Sequence, residues 1–284
     1  MEDYSAFIPN VHFELIQIKN LVSNQEYQRN LSMRHVKKAV QNFDIRQVNP
    51  IKVSRRDGIN YVFNGQHTIE IIAEAAESRD VPVWCMVYDG LDYVEEAQVF
   101  ANQQKYVKTL TPYEIFKAQI EAGSDKQIII RELVESFGLT VSDQTRPGTI
   151  SAVSTIEEIY DKYGYSVLER TLGLSIATWE SEYGSLGGSF LKGLAKLIYT
   201  YGNQLDDILF KDRLAVHSPK EIIRTAKDRR GGYMGFAETF LIFYNKKVRS
   251  PLKWSLLYAS AADDYPEQSA DEDPSSEEES AMEG

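Results

Sequence analysis

The spacing of apolar residues changes once along this chain, near Thr111. Before that point, strand signals and helix signals trade places. "FELIQI" (residues 13–18) reads as a strand. Ser32 can cap a helix whose Val36, Ala39, Val40 and Phe43 share one face at i, i+3, i+4, i+7 spacing. "NPIKVSRRDGINYVFNG" reads as two strands joined by a turn at Arg56-Asp57-Gly58. "TIEIIAEAAES" is a helix with Ile69, Ile72, Ala73 and Ala76 on one side, "VPVWCMVYDG" a strand, and "YVEEAQVFANQQ" a further helix. Sheet and helix faces must bury against each other, so residues 1–110 are expected to form a small α/β (α+β) domain.

After Thr111 the strand signal mostly disappears. In "TPYEIFKAQIEAG" Thr111 is a cap, Pro112 takes the first helical position and Glu114 stands three residues past the cap. "DKQIIIRELVESFG" is a second helix ended by Gly138, and helical periods continue to about Lys247. Residues 111–260 are therefore expected to form an all-α domain. Residues 261–284 are acidic and nearly free of large apolar groups, so they are expected to be a disordered tail.

Charge is distributed unevenly. The chain carries a formal −11, yet residues 211–253 hold 11 basic and 4 acidic side chains. From Asp263 onward there are 10 acidic residues and no basic one. A basic segment followed by an acidic one points to a polyanion partner with the tail as competitor. No apolar run approaches the ~18 residues of a membrane span, and the N-terminus lacks the pattern of a secretory signal. The single cysteine, Cys85, is expected to be a small packed side chain in a chain of the cytoplasm.

The junction "YVFNGQHTIEII" carries the sharpest chemistry. Glycine between a strand and a helix permits positive φ and close approach, and a helix N-terminus presents unpaired N–H groups to an anion. Gln66 and Thr68 add neutral donors, and His67 a donor or a charge. Two readings stand: a tight turn with Thr68 as helix cap, or a phosphate cradle. One glycine matches neither the dinucleotide fingerprint nor the Walker loop.

Three further segments flank this turn in order: "YQR" (residues 27–29), "ANQQK" (101–105) and "LTPYE" (110–114). Together with "NGQHT" (64–68) they resemble the ParB family, in its ParB/sulfiredoxin-like N-terminal domain, over residues 10–125. The resemblance implies a nucleotide, commonly CTP, with Mg²⁺ near "ANQQK", and plasmid-partition or mobile-element and bacteriophage proteins as kin. It places Asn64, Gly65, Gln66, His67 and Thr68 on the phosphates. Arg29 and Lys105 would give countercharge, with Asn102 and Gln104 beside them and Asn102 near the metal. The sequence departs from the family where Gln66, His67 and Thr68 stand for Glu-Arg-Arg and Ala101 for a metal-binding Glu. Fewer carboxylates and arginines weaken metal binding and phosphate neutralisation, which favours binding over hydrolysis. Sulfiredoxin chemistry needs a cysteine in the turn, where Gln66 stands.

DNA is the second expected partner. Arg224, Lys227, Arg229, Arg230, Lys246, Lys247 and Arg249 could contact phosphates without sequence preference. A helix-turn-helix with residues 150–160 as reading helix is the weaker alternative, because 139–149 is long for its turn. His12, His35 and His217 show no metal-ligand spacing, and the pairs Glu95-Glu96 and Glu157-Glu158 are expected to face solvent. The leading expectation is a ParB-like DNA-associated protein, with a homodimer open. The alternatives are a nuclease or phosphotransferase on the same scaffold, for which Glu70 and Glu26 are the nearest carboxylates, or an interaction protein without ligand.

Overall fold

The computed structural model describes residues 10–23, 26–28, 30–106 and 108–259, without the side chains of Gln104 and Tyr106. Arg29 and residues 261–284 lie outside the described residues. The chain divides into two compact units, Met1–Thr109 and Leu110–Gly284.

The first unit is a five-stranded sheet with helices on it. Its strands are β1 (Val11–Gln17), β2 (Leu21–Ser23), β3 (Ile51–Arg56), β4 (Ile59–Asn64) and β5 (Pro82–Asp89), in the spatial order β1-β5-β3-β4-β2. β3 and β4 form the antiparallel hairpin expected at Asp57-Gly58, and both turn residues take positive φ, as a two-residue primed turn requires. β5 pairs antiparallel to β1 and parallel to β3, and β2 runs parallel to β4. Helices α1 (Met33–Val40), α2 (Gln66–Ala75) and α3 (Tyr93–Tyr106) complete the unit. One sheet face and α2 enclose a core of Ile16, Ile51, Val53, Val62, Ile69, Ile72, Val83, Cys85 and Val87. Cys85 is fully buried there. Phe43 lies beyond α1 and is exposed, and Ala76 is the C-cap of α2, so each apolar stripe is one residue shorter than its spacing suggests.

Arg56, Phe63 and Tyr88 belong to the other sheet face, where α3 brings in Glu96. Glu96 is fully buried, which corrects the expectation that Glu95-Glu96 faces solvent. Its Oε1 lies 2.9 Å from Arg56 Nε, and its Oε2 accepts from Tyr27 Oη (3.2 Å). Burying a carboxylate is costly, and this one is held by a cation and a hydroxyl together. Desolvation and the neighbouring Glu96 charge push the Tyr27 phenol well above its usual range. Glu157 and Glu158 are engaged as well: Gln127 Nε2 donates to Glu157 (2.7 Å) and Lys192 pairs with Glu158.

The second unit is helical: α4 (Pro112–Glu121), α5 (Asp125–Ser136), α6 (Val153–Tyr163), α7 (Tyr165–Trp179), α8 (Gly188–Tyr201), α9 (Asp207–Leu214), α10 (Pro219–Arg229), α11 (Gly232–Asn245) and α12 (Trp254–Ala259). Thr111 and Glu114 form the reciprocal capping box read from the sequence. Phe190, Leu194, Phe210, Ile222 and Phe240 centre one core, and Phe116, Ile130, Leu133, Ile156 and Leu168 a second. The chain is thus an α/β domain followed by a helical one. The helical unit is not purely α: β6 (Thr140–Val141) and β7 (Thr149–Ile150) pair in parallel between α5 and α6. Between them the Thr149 hydroxyl accepts from Arg146 N–H and has the Gln144 and Arg146 carbonyls within reach of its one proton, at 2.8 and 2.9 Å, so a pinned loop stands where a short turn was needed. Among the described residues no helix is long and apolar enough to cross a membrane.

Candidate functional site

β4 ends at Asn64 and α2 begins at Gln66, so Gly65 alone makes the junction. Its φ is +114°, and a Cβ there would stand 2.8 Å from Ile51 Cδ1 and 3.2 Å from Ile51 Cγ2. The positive φ favours glycine, and a Cβ would in addition force the tip of Ile51 to move. Gly65, not Thr68, is the N-cap, and no side chain caps α2; Thr68 sits at the third helical position. The expectation of Thr68 as cap fails because the helix starts three residues earlier than that cap would set it, with Ile69 N–H already bonded to the Gly65 carbonyl.

A cleft of about 530 Å³ opens at this turn. Asn64, Gly65, Gln66, His67 and Thr68 line it, as do Gln28, Asn30, Ser32, His35, Phe63 and Phe100. Two helices start at its wall. Ser32 caps α1 through its Oγ, which accepts from His35 N–H, and Ser32 N–H donates to His67 Nε2 (3.2 Å). As acceptor at Nε2, a neutral His67 ring carries its proton on Nδ1. The His35 and His67 rings meet edge to face, 5.6 Å between centroids. The two N-termini are thereby held together at one opening, and their partial positive charges add.

Gln66 is the unusual residue. It is 8% exposed, and its carboxamide has no hydrogen bond to any described residue. Polar groups on packed side chains usually find a protein partner, whereas this one borders the cleft that Gln66 lines. Gln28 Nε2 donates to the Val62 carbonyl (2.5 Å), which turns its Oε1 the other way, buried and without partner. The described lining contains no Asp, Glu, Lys or Arg. It can hold an anion by dipoles and neutral donors, but it offers no carboxylate for Mg²⁺, and no cluster of three metal-ligating side chains occurs among the described residues. The nucleotide named by the resemblance fits this donor set; a magnesium ion held by protein carboxylates does not.

The remaining sequence candidates distribute unevenly. Asn64 Nδ2 donates to Gln103 (3.1 Å), which ties α3 to the glycine turn. Asn102 and Lys105 are exposed on α3 outside the cleft lining, and Gln104 belongs to α3 through its backbone. Glu70 pairs with Arg79 (2.8 Å) and Glu26 accepts from Tyr93 (2.6 Å), so neither lines the cleft. Sequence reasoning gave Gln28, Ser32 and His35 no place in the site; the hydrophilic run around the "YQR" segment was the available signal for the first two.

In the helical unit, Arg224 and Lys227 are exposed on α10, and Lys220 joins them one turn earlier. None of the three has an ion-pair partner among the described residues. Arg229 and Arg230 instead approach Glu238, which is 5% exposed, at 3.1 and 3.8 Å, and Arg229 also lies over the Trp254 ring. Lys246, Lys247 and Arg249 are exposed between α11 and α12.

The first unit is a sheet-and-helix domain with a polar cleft at a glycine turn; the second is a helical domain with a basic helix. The chain belongs to a family of unknown function (DUF6551), whose model matches residues 22–253. No curated protein matches the sequence. Among solved structures, the C-terminally truncated chromosome-partitioning protein ParB from Caulobacter crescentus, complexed with CTP-gamma-S, is similar over 80% of this chain and 98% of its own. The two share 12% identity at a TM-score of 0.35, and a likeness that distant leaves function to the residues themselves.

Proposed function

We propose that the N-terminal unit binds a nucleotide or a related phosphate-bearing anion in the Gly65 cleft, and that the chain is a ParB-like DNA-associated protein. The observation that carries the reading is Gln66: a packed side chain whose carboxamide has no protein partner and lines the cleft, beside two helix N-termini. The order of the "YQR", "NGQHT", "ANQQK" and "LTPYE" segments supports the nucleotide class. The lack of carboxylates in the described lining supports binding without Mg²⁺-dependent hydrolysis, because Mg²⁺ is held by oxygen ligands and the titratable side chains lining the cleft are His35 and His67. DNA would meet α10 through Lys220, Arg224 and Lys227 as phosphate contacts, with the cleft occupant setting how the chain uses them. Calorimetry with CTP, ATP and pyrophosphate, with and without Mg²⁺, tests the proposal. Saturable binding that Gln66→Leu weakens and Mg²⁺ barely changes is expected, with no release of inorganic phosphate. Absence of heat with all three ligands at millimolar concentration would sink it.

A further inference from the structure

Strand β1 is one edge of the five-stranded sheet, and among the described residues its strand neighbour is β5 alone. It runs seven residues without a register shift, and "VHFELIQ" holds no Lys, Arg or Pro. Edge strands are ordinarily blunted by a bulge, a proline or an exposed lysine. Val11, Phe13 and Leu15 share the face of β1 that points away from the main core. The row continues onto β5, where Met86 stands opposite Phe13 and Trp84 opposite Leu15. Phe13, Leu15 and Trp84 are each more than half exposed. An unbroken edge beside a solvent-facing apolar row is a template for another strand.

The backbone fixes which groups this edge presents. Ile18 N–H donates to the Val81 carbonyl (3.0 Å), one step beyond the register that sets Gln17 opposite Pro82. Antiparallel strands exchange bonds at alternate residues, so Ile16, Glu14 and His12 turn their N–H and C=O groups to β5. Those of Val11, Phe13 and Leu15 point to the edge. The side chains then select the partner. A second β1, laid antiparallel about a two-fold axis at Phe13, sets Phe13 against the partner's Phe13 and Val11 against the partner's Leu15. On the other face the same register sets His12 against the partner's Glu14, once on each side of the axis. An axis at Glu14 would oppose two carboxylates, which is destabilising. An axis at Leu15 sets Phe13 against the partner's Gln17 and separates His12 from the partner's Glu14. Charge and apolarity agree at the Phe13 axis.

We propose that this edge is an interface with a second copy of the chain, in which the two β1 strands pair antiparallel about Phe13 and continue the sheet. Met86, Phe13 and the partner's Phe13 then form one apolar row, and Trp84, Leu15 and the partner's Val11 another. The contact uses the same patch on both chains, so it closes at two. It depends neither on what the cleft binds nor on DNA binding.

Sedimentation velocity of the full chain tests the association, and cysteine trapping tests the register. The chain should sediment as a dimer at about 200 µM, and Phe13→Lys, which alters an exposed side chain, should raise the dimer dissociation constant at least tenfold. Phe13→Cys should give a disulfide-linked dimer under copper–phenanthroline, because opposed residues that exchange bonds lie ~5.5 Å apart between Cα atoms, within disulfide reach. Leu15→Cys alone should not link, since its two copies would stand ~14 Å apart along the strands, but it should link when mixed with Val11→Cys. Cys85 is fully buried and takes no part. A chain that stays monomeric at about 200 µM, a dimer indifferent to Phe13→Lys, or Leu15→Cys linking to itself as readily as Phe13→Cys would overturn the proposal.

Discussion

Gln66→Leu separates a binding residue from a structural one by the sign of two effects. In the free protein Gln66 is 8% exposed as a residue, and its carboxamide makes no hydrogen bond to a described residue while keeping access to solvent. Partial desolvation of such a group costs up to ~1 kcal/mol, and leucine of similar volume removes that cost while keeping the contacts of the side-chain stem. A stabilisation of up to about 1 kcal/mol is therefore expected. In a unit of this size that moves Tm upward by no more than ~4–8 °C, read as the first-unit transition in scanning calorimetry. The ligand arm has the opposite sign. A hydrogen bond from the carboxamide to a phosphate oxygen is worth ~1.5–3 kcal/mol, so affinity should fall roughly 10- to 100-fold. A variant that melts lower and binds pyrophosphate as tightly as before would refute the reasoning, because Gln66 would then be a packing residue.

Gly65→Ala should destabilise the first unit by ~1–3 kcal/mol from the positive φ alone, and Ile51→Val, by removing Cδ1, should restore ~0.5 kcal/mol or more in a double-mutant cycle read by urea denaturation. Glu96→Ala leaves Arg56 half-buried without its carboxylate and should cost ~3–5 kcal/mol in the urea midpoint, whereas replacing both residues by Met should return most of it. Changing Lys220, Arg224 and Lys227 together to Gln in a chain ending at Ala259 should lower the slope of log affinity for duplex DNA against log salt by about 2.7, at ~0.9 per phosphate contact. Arg229→Ala should leave that slope unchanged and lower thermal stability, because it partly strips a nearly buried Glu238. Burial pushes the Cys85 thiol up to about 11, so Ellman's reagent at pH 8 should label it only after urea unfolds the first unit; labelling of the native chain would contradict its packed position.

The elements of this chain were legible wherever one residue type has one local use. Asp57-Gly58 gave the hairpin, Thr111-Pro112 with Glu114 gave the start of α4, and the β-branched run gave β5. The misreadings came from interactions distant in sequence. Alternation in "FELIQI" located β1, yet Phe13 and Leu15 lie on the face away from the main core and are more than half exposed beside Trp84, while Glu14 points to the core side and pairs with Arg55 (2.7 Å). Period two fixes which residues share a face, not which face is covered. Glu96 looked like half of a solvent-facing pair because its partners, Arg56 and Tyr27, lie 40 and 69 residues away. In the same way Arg229 and Arg230 read as free cations until α11 supplied Glu238.

The cleft obeys the same logic in reverse. Its polar groups are conspicuous because the fold supplies nothing to satisfy them. Replacing Glu-Arg-Arg by Gln66-His67-Thr68 strips the turn of formal charge, but it leaves two helix N-termini locked together by the bond from Ser32 N–H to His67 Nε2. A charged cradle gains anion affinity from Coulomb attraction and loses it steeply with salt. A neutral cradle built from backbone and amide donors gains less and is less sensitive to salt. The anion binding proposed for this cleft should therefore change little in affinity between low and moderate salt, which calorimetry at the two ionic strengths reads directly.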